Sequence, residues 1–256
     1  METKKRLPIL IGKEIERKIN STYWKDITID LSELGSLFIT GWTGSGKTTF
    51  LHRIITSLLQ LKQSSKNDIK LVLAEEFLME FSLYENLDCV QQPIIDNDLA
   101  FIQALKDAVT ELNVRLQHPN QAYSDYVLIV DKFDDFLAEV NHSYSKSQKI
   151  LEPIYQLIEK GSPVNMYVIL SSQRADSNFF RDQLKSVMKN RIVFLSEFDN
   201  EKVINETFGV TVDTSFTLPH DMLTYFGSFD RIMPIRPLPE QRYAEIGKMV
   251  EQFNAQ

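Results

Sequence analysis

The sequence predicts an α/β fold in which a mostly parallel central sheet is flanked by helices. Short runs at residues 70–74, 126–130 and 166–170, apolar throughout except for Lys70, are typical of strands that are buried on both faces. Segments with apolar residues at helical spacing, such as 99–116 and 147–159, alternate with these runs. Strands that alternate with helices favour a parallel sheet covered on both sides. A chain of 256 residues suits one large domain of this kind with an edge extension, or two small domains.

The two ends of the chain are predicted to add smaller pieces to this domain. Residues 7–12 and 24–31 each predict a strand that precedes the first strand of the main domain. The predicted organisation is an N-terminal β extension packed on the core at residues 1–35, the main domain at 36–240, and a C-terminal helical tail at 241–256.

Composition limits the classes of function. The net charge of −7 means that any contact with nucleic acid would use a local basic patch, because a protein that binds through its whole surface is basic. Cys89 is the one cysteine, so no disulfide forms within the chain. No apolar run approaches the ~20 residues that span a bilayer, and no signal peptide is recognised. The sequence therefore predicts a cytoplasmic protein, with any peripheral membrane association supplied by partners.

A phosphate-binding loop is the strongest functional signal. Residues 41–48, G-W-T-G-S-G-K-T, fit the pattern G-x-x-x-x-G-K-[ST] between an apolar β-prone run at 36–40 and a helical pattern at 49–59. Glycines let successive backbone N–H groups converge on anionic oxygens, and the helix N-terminus adds partial positive charge. We expect Lys47 to reach the β- and γ-phosphates of ATP and the Thr48 hydroxyl to bind Mg²⁺. The predicted nucleotide-binding residues are Gly41, Trp42, Thr43, Gly44, Ser45, Gly46, Lys47, Thr48 and Thr49.

Two further strand ends complete the predicted site. Asp131 follows the buried run at 126–130, which is where P-loop enzymes place a second ligand for Mg²⁺. Gln173 follows the run at 166–170 and could contact the γ-phosphate or orient water. The position after Asp131, often a glutamate that polarises the attacking water, is Lys132, and a protonated lysine cannot accept that proton. Asp134 and Asp135 are alternatives whose side-chain direction the sequence does not give.

Six blocks, taken in order, resemble the motor domain of the FtsK/SpoIIIE family of DNA translocases. The resemblance runs from about residue 7 to about residue 238. Besides the phosphate loop, the blocks are E-F-S-L-Y-E-N-L at 80–87 after the 70–74 strand, V-D-K-F-D-D at 130–135, V-I-L-S-S-Q-R at 168–174, N-R-I-V-F at 190–194, and D-M-L at 221–223.

This resemblance implies a RecA-like ATPase that assembles as a homo-oligomeric ring, usually a hexamer, around double-stranded DNA. ATP would lie between neighbouring subunits, and an arginine supplied in trans would stabilise the transferring phosphoryl group. Arg191 matches the family arginine and is the leading candidate for that role, with Arg174 second. Arg181, Lys185 and Lys189 are candidates for phosphate-directed, sequence-independent DNA contacts, and the alternative is that they form a solvated helix face.

Departures from the family pattern affect the catalytic positions. Lys132 replaces the glutamate, residues 75–77 (E-E-F) replace D-P-K, and Ser162 replaces an arginine. The phosphate loop is intact, so the pattern predicts ATP binding with slow hydrolysis, or hydrolysis through another acid. Two functions stay open: a motor that translocates duplex DNA in chromosome, plasmid or mobile-element transfer, and a degenerate ATP-binding module of a type VII-like secretion or conjugation apparatus. A small-substrate kinase is a weaker third alternative.

Overall fold

The structure is a computed structural model that describes residues 6–18, 21–65, 68–76, 80–138, 144–173, 183–196, 201–212, 214, 217, 221–227, 232–239 and 243–254. Its strands are β1 (Pro8–Lys18), β2 (Ser21–Asp30), β3 (Ser36–Gly41), β4 (Ile69–Ala74), β5 (Asp125–Val130), β6 (Met166–Ser172), β7 (Arg191–Phe194), β8 (Met222–Tyr225) and β9 (Ile232–Pro237). Its helices are α1 (Leu31–Leu34), α2 (Lys47–Ser65), α3 (Asp98–Gln117), α4 (Phe133–Ala138), α5 (Tyr144–Lys160), α6 (Gln183–Val187), α7 (Glu201–Phe208) and α8 (Tyr243–Asn254). Short 3₁₀ turns occupy Phe81–Tyr84 and Ser162–Val164.

One sheet joins all nine of these strands, in the order β2-β1-β9-β8-β7-β3-β6-β5-β4. The five strands from β7 to β4 are parallel, and the other four extend the β7 edge in antiparallel pairs. The predicted α/β class with a parallel centre and N-terminal strands is confirmed. The sequence reading missed β8 and β9, which connect the N-terminal hairpin to the parallel core.

The N-terminal hairpin joins the sheet through a close backbone approach at Gly12. Gly12 pairs with Pro237 of β9, and a Cβ at this position would lie 2.4 Å from the Arg236 carbonyl oxygen. Any side chain here would therefore push β1 away from β9. The proposed domain boundaries at residues 35/36 and 240/241 stay predictions.

Helices cover both faces of the parallel strands, as buried strands require. Apolar residues of α2 and α8 pack against one face in a single core cluster. Residues of α3, α4 and α5 form the core of the opposite face. Because the parallel strands point the same way, the carboxyl ends of β3, β5 and β6 lie at one edge of the sheet, and the predicted site residues follow these ends.

A buried arginine joins segments at the amino-terminal ends of the parallel strands, opposite the predicted site. Arg115, near the end of α3, is 1% exposed and donates from Nη1 to the carbonyls of Ser124, Val164 and Asn165 at 2.8, 2.9 and 3.2 Å. Its Nε donates to Glu111 at 3.1 Å. These bonds join α3 to the segments that lead into β5 and β6.

Replacing Arg115 with methionine is expected to destabilise the fold by about 3–5 kcal/mol, because it leaves buried polar partners and a carboxylate without their donor. The free energy of unfolding in urea measures this loss. Lys106→Met, on the exposed side of the same helix, should change it by no more than about 0.5 kcal/mol. A methionine variant within 1 kcal/mol of wild type would show that these bonds contribute little to stability.

None of the helices in the described part of the chain is both long enough and apolar enough to cross a membrane.

Candidate nucleotide-binding site

The loop between β3 and α2 has the backbone that glycines allow. Gly41, Gly44 and Gly46 have φ values of 148°, 78° and 109°, in the range that side chains rarely adopt. A Cβ at Gly41 would lie 2.6 Å from the Phe194 carbonyl oxygen and 2.8 Å from Ser45 Oγ. These glycines let the chain turn tightly from the sheet into the helix, which is the geometry that the motif requires.

Two polar groups of the loop suit an anion. Ser45 Oγ is buried and has no hydrogen-bond partner within the described residues, although buried hydroxyls are normally paired. The N-terminus of α2 begins at Lys47, directly after the loop, and carries partial positive charge. A phosphate in the loop would give the hydroxyl an acceptor and lie on the helix axis. The residues present therefore fit the triphosphate of a nucleotide.

Lys47 is buried and points into the loop. Its Nζ donates to the carbonyl oxygens of Gly41 and Trp42 at 2.7 and 2.9 Å. Burial lowers the pKa of this ammonium group below its usual value, and the negative charges of Asp131 and Asp134 offset part of that effect. Phosphate oxygens would compensate the desolvated charge further, so nucleotide binding and protonation of Lys47 favour each other.

Thr48 and Asp131 are brought together across the sheet. The Thr48 hydroxyl donates to Asp131 Oδ2 at 2.8 Å, and the Asp131 carboxylate is fully buried at the end of β5. Both are hard oxygen donors of the kind that Mg²⁺ prefers. Mg²⁺ is usually bound by one or two protein oxygens together with phosphates and water. Among the described residues no group of three or more His, Cys, Asp or Glu side chains could hold a metal ion. When bound, Mg²⁺ would neutralise charge on the phosphates.

The backbone after Asp131 bends sharply at Lys132. Lys132 has φ 50°, uncommon for a lysine, and its N–H donates to Asp131 Oδ1 and to Ser171 Oγ, both at 3.0 Å. The Ser171 hydroxyl donates in turn to Asp131 Oδ1. These bonds fix the Asp131 carboxylate from the side opposite Thr48. The side chain of Lys132 lines the cavity described below.

Gln173 lies across the opening of the loop. Its Oε1 accepts a hydrogen bond from the Thr43 hydroxyl at 2.9 Å. Its backbone N–H donates to Asp134 Oδ1 at 3.1 Å, so α4 holds the end of β6. The structure thus gathers Lys47, Thr48, Asp131 and Gln173 around one loop, although their chemical roles stay predictions.

Arg191 lies apart from this group within the chain. It begins β7 and pairs with Phe38, whereas the loop follows the far end of β3. Its Nε donates to the Met188 carbonyl at 2.9 Å and its Nη1 to the Thr207 carbonyl at 2.8 Å. Burial lowers the pKa of its guanidinium from the usual value. Its action on a neighbouring subunit's nucleotide stays a prediction, as does that of Arg174, which lies outside the described residues.

The residues predicted to contact DNA are only partly within the described part of the structure. Arg181 lies outside the described residues, and for Lys185 only the backbone is given. Lys189 is exposed. The predicted basic DNA surface therefore stays a prediction.

A cavity of about 700 Å³ opens beside the loop. Predicted residues line it, among them Lys47, Thr48 and Gln173. Sequence reasoning missed other lining residues, namely Phe50, Arg53, Glu80, Phe194, Pro237 and Leu238. Glu80 stands within a block that resembles the family pattern, but no spacing rule indicated that it lines this cavity.

Comparison with known proteins agrees with this geometry. The family model described as the NACHT domain matches residues 36–209, more than half of the chain and all of the segment from the loop through Gln173. The chain belongs to the NACHT domain family. The NACHT match begins at the first residue of β3, the strand that leads into the loop.

Relatives of this NACHT domain include DNA translocases. It is 25% identical over 227 residues to the DNA translocase FtsK of Leptospira interrogans, covering 82% of this chain and 23% of that protein. The chain therefore spans about a quarter of the length of that curated relative. The resemblance to the FtsK/SpoIIIE motors inferred from the sequence blocks is confirmed.

Solved structures share the fold. The pCW3 conjugation coupling protein TcpA, in its monomer form with ATPgS, gives a TM-score of 0.75 at 17% identity over 98% of this chain and 71% of that one. The cytoplasmic domain of the type VII secretion ATPase EccC from Thermomonospora curvata gives a TM-score of 0.71 at 17% identity, over 99% and 32% respectively. At these identities the likeness supports a common P-loop ATPase fold.

Proposed function

We propose that the chain is an ATP-binding FtsK/SpoIIIE-type motor domain that couples ATP binding and hydrolysis to translocation of double-stranded DNA. The single observation that carries the proposal is the meeting of Lys47, Thr48, Asp131 and Gln173 around one glycine-rich loop. In phosphoryl transfer, a lysine and a metal stabilise the phosphate charge while a polar side chain orients water. Similarity to a DNA translocase supports DNA as the cargo.

Ring assembly belongs to the same proposal. A motor that moves along a duplex needs successive sites in different nucleotide states, and a homo-oligomeric ring, in this family usually a hexamer, supplies them. Arg191 would then leave its carbonyl partners at Met188 and Thr207 and act on the nucleotide of a neighbour. The acidic net charge confines DNA contact to a local surface.

The deciding experiment measures ATP turnover with and without linear duplex DNA over a range of protein concentrations. We expect DNA to stimulate turnover by about 5- to 150-fold, the range of a coupling free energy of 1–3 kcal/mol. The stimulation should rise with protein concentration as rings form and fall with added salt, since phosphate contacts release counterions. A Lys47→Ala chain gives the background rate. Turnover that stays flat when duplex DNA is added contradicts the motor.

Lys132 favours a second candidate. A lysine beside the metal-binding aspartate, together with likeness to a secretion ATPase, supports a module that binds ATP tightly, hydrolyses it weakly and engages a protein partner. Its signature would be ATP binding without measurable turnover, whether DNA is present or absent. A bound peptide that changes ATP affinity would then mark the partner site.

A further inference from the structure

We propose that Glu80 is the general base of ATP hydrolysis in this chain and takes the role of the glutamate that Lys132 replaces. His52 and Glu75 are its positioning residues. The proposal rests on the ATPase activity proposed above. It follows from the contacts that α2, the 3₁₀ turn Phe81–Tyr84 and the end of β4 make with the Glu80 residue.

Glu80 lines the cavity beside the phosphate loop. Glu80 precedes the 3₁₀ turn Phe81–Tyr84 but makes no capping hydrogen bond to it with its side chain. Its side chain is 38% exposed and lines the same cavity as Lys47, Thr48 and Lys132. The Glu80 side chain therefore does not cap its own turn, and Glu80 lies at the cavity that a nucleotide would occupy.

His52 contacts Glu80 from the helix that carries Thr48. His52 lies one helical turn after Thr48 on α2, and side chains four residues apart share a helix face. Helical side chains lean toward the N-terminus, so the His52 ring points back toward Thr48. Its Nε2 lies 3.3 Å from Glu80 Oε2, which places the carboxylate on that side of the helix. Glu80 and the loop residues line the same cavity.

The His52 ring is fixed at both nitrogens. It is buried, and its Nδ1 lies 2.7 Å from the Tyr84 hydroxyl. A neutral ring satisfies both contacts when Nε2–H donates to Glu80 and Nδ1 accepts from Tyr84. Phe81 packs against the ring edge-on, with centroids 6.0 Å apart. The ring therefore holds the carboxylate in one direction.

Glu75 fixes the backbone that carries Glu80. Its side chain is fully buried at the end of β4, and its Oε2 accepts hydrogen bonds from the N–H groups of Glu80 and Phe81 at 2.9 and 3.0 Å. The Glu75 N–H donates to the Ile95 carbonyl at 2.8 Å. Glu75 follows the strand next to β5, so it ties this turn to the edge of the sheet where Asp131 lies.

The other carboxylates near the loop are engaged elsewhere. Asp131 accepts bonds from Thr48, Lys132 and Ser171 and is the predicted metal ligand. Asp134 accepts the Gln173 N–H. Of the residues that the structure describes, Glu80 is the one carboxylate that lines the cavity.

In this reaction Glu80 takes the proton of the attacking water. A water oxygen forms a bond to the γ-phosphorus while the bond between that phosphorus and the bridging oxygen of the β-phosphate breaks, and ADP leaves with the electron pair. The water proton passes to the Glu80 carboxylate and from there to solvent. ATP and water become ADP and inorganic phosphate, with no redox partner. Lys47 binds the phosphate oxygens through this step.

Single-turnover hydrolysis of saturating Mg-ATP, measured beside the dissociation constant for ATP, tests the assignment. In Glu80→Gln we expect the rate to fall by about 10²- to 10⁴-fold, the usual contribution of a general base, while the dissociation constant changes less than about threefold, as for a group that acts on the reacting water instead of binding ATP. Glu85→Gln, exposed at the other end of the same turn, is the matched control and should keep the wild-type rate. If Glu80→Gln does not fold, Glu80→Asp keeps the charge, shortens its reach, and should still lose rate without losing affinity.

His52→Gln tests the positioning role. It should lower the rate by about 10- to 100-fold, as loss of an orienting hydrogen bond does, and leave both the ATP dissociation constant and the thermal midpoint near wild type. Loss of rate and affinity together would indicate a structural role and overturn the positioning assignment.

The outcomes separate the two proposals. A wild-type chain with no turnover, with or without DNA, overturns the ATPase and this inference together. A wild-type chain that hydrolyses ATP while Glu80→Gln does so within about threefold overturns the inference alone, because a true base contributes far more. A Glu80→Gln chain that loses ATP affinity in parallel with rate also overturns it. So does an Asp134→Asn chain that loses turnover while Glu80→Gln retains it.

Discussion

A Lys47→Ala chain is expected to bind ATP about 100-fold more weakly than wild type and to keep its fold. In the free protein Nζ makes two hydrogen bonds to loop carbonyls, at Gly41 and Trp42, and the same ammonium can exchange them for phosphate oxygens. Hydrogen bonds to charged groups contribute about 1.5–3 kcal/mol each, and about 2.7 kcal/mol corresponds to the 100-fold loss. Lys47→Ala should therefore act on nucleotide affinity first and on turnover as a consequence.

The Lys47→Ala chain should stay folded, because burying the charged Lys47 side chain costs stability in the wild-type fold. Burial lowers the pKa of Lys47, so the folded chain binds this proton less tightly than the unfolded chain. At neutral pH the charged form therefore works against folding, and that effect disappears as pH rises above the unfolded pKa. Truncation removes this penalty while it also removes two hydrogen bonds. Lys47→Ala should therefore change the free energy of unfolding by about 1 kcal/mol.

Calorimetric titration with Mg-ATP, beside urea unfolding of the same samples, measures both quantities. Lys62→Ala is the control on the same helix. Lys62 lies near the other end of α2, where its Nζ forms an ion pair with Asp88 Oδ2 at 3.4 Å. Lys62→Ala should leave ATP affinity unchanged and cost at most about 1 kcal/mol of stability. A folded Lys47→Ala chain that binds ATP like wild type would refute the nucleotide site.

Local rules predicted much of this site. The phosphate loop, Asp131 and Gln173 follow strands of a parallel sheet, and the carboxyl ends of such strands meet at one edge. Each could be found from a few neighbouring residues. The structure then brings Thr48 within 2.8 Å of Asp131 although 83 residues separate them.

Long-range pairing explains what the sequence did not reveal. β8 is four residues long, and β9 contains Pro234 and Pro237, which weaken any strand pattern. Their place between β1 and β7 depends on partners far along the chain. The left-handed backbone of Lys132 depends in the same way on hydrogen bonds to Asp131 and Ser171.

The direction of Glu80 also depends on distant residues. Glu75 holds its backbone from the end of β4, and His52 holds its side chain from a helix 28 residues earlier. No periodicity or motif encodes that arrangement. A glutamate in a turn reads as solvent-exposed from sequence, and only the packed structure turns it toward the cavity.

Asp131→Asn is expected to lower Mg²⁺-dependent turnover by about 1000-fold, equivalent to roughly 4 kcal/mol of transition-state stabilisation. Asparagine has nearly the same shape, and its oxygen can still accept the bonds from Lys132 and Ser171. Its amide NH₂ would then face Thr48, where it presents donors instead of the anionic oxygen that a divalent cation requires. ATP binding through the loop should persist without Mg²⁺, so the loss appears in hydrolysis.

The contrast with Ser171→Ala separates charge from local structure. Ser171→Ala removes the hydroxyl that donates to Asp131 Oδ1 but keeps the carboxylate, so turnover should fall by about tenfold at most, as for a supporting hydrogen bond. Titrating Mg²⁺ in single-turnover assays should raise the Mg²⁺ requirement sharply for Asp131→Asn and little for Ser171→Ala. Equal losses in the two variants would mean that Asp131 shapes the turn at Lys132 instead of binding the metal. In that case the carboxylates at the edge of the sheet would have a structural role, and the metal would be held by the phosphates and Thr48.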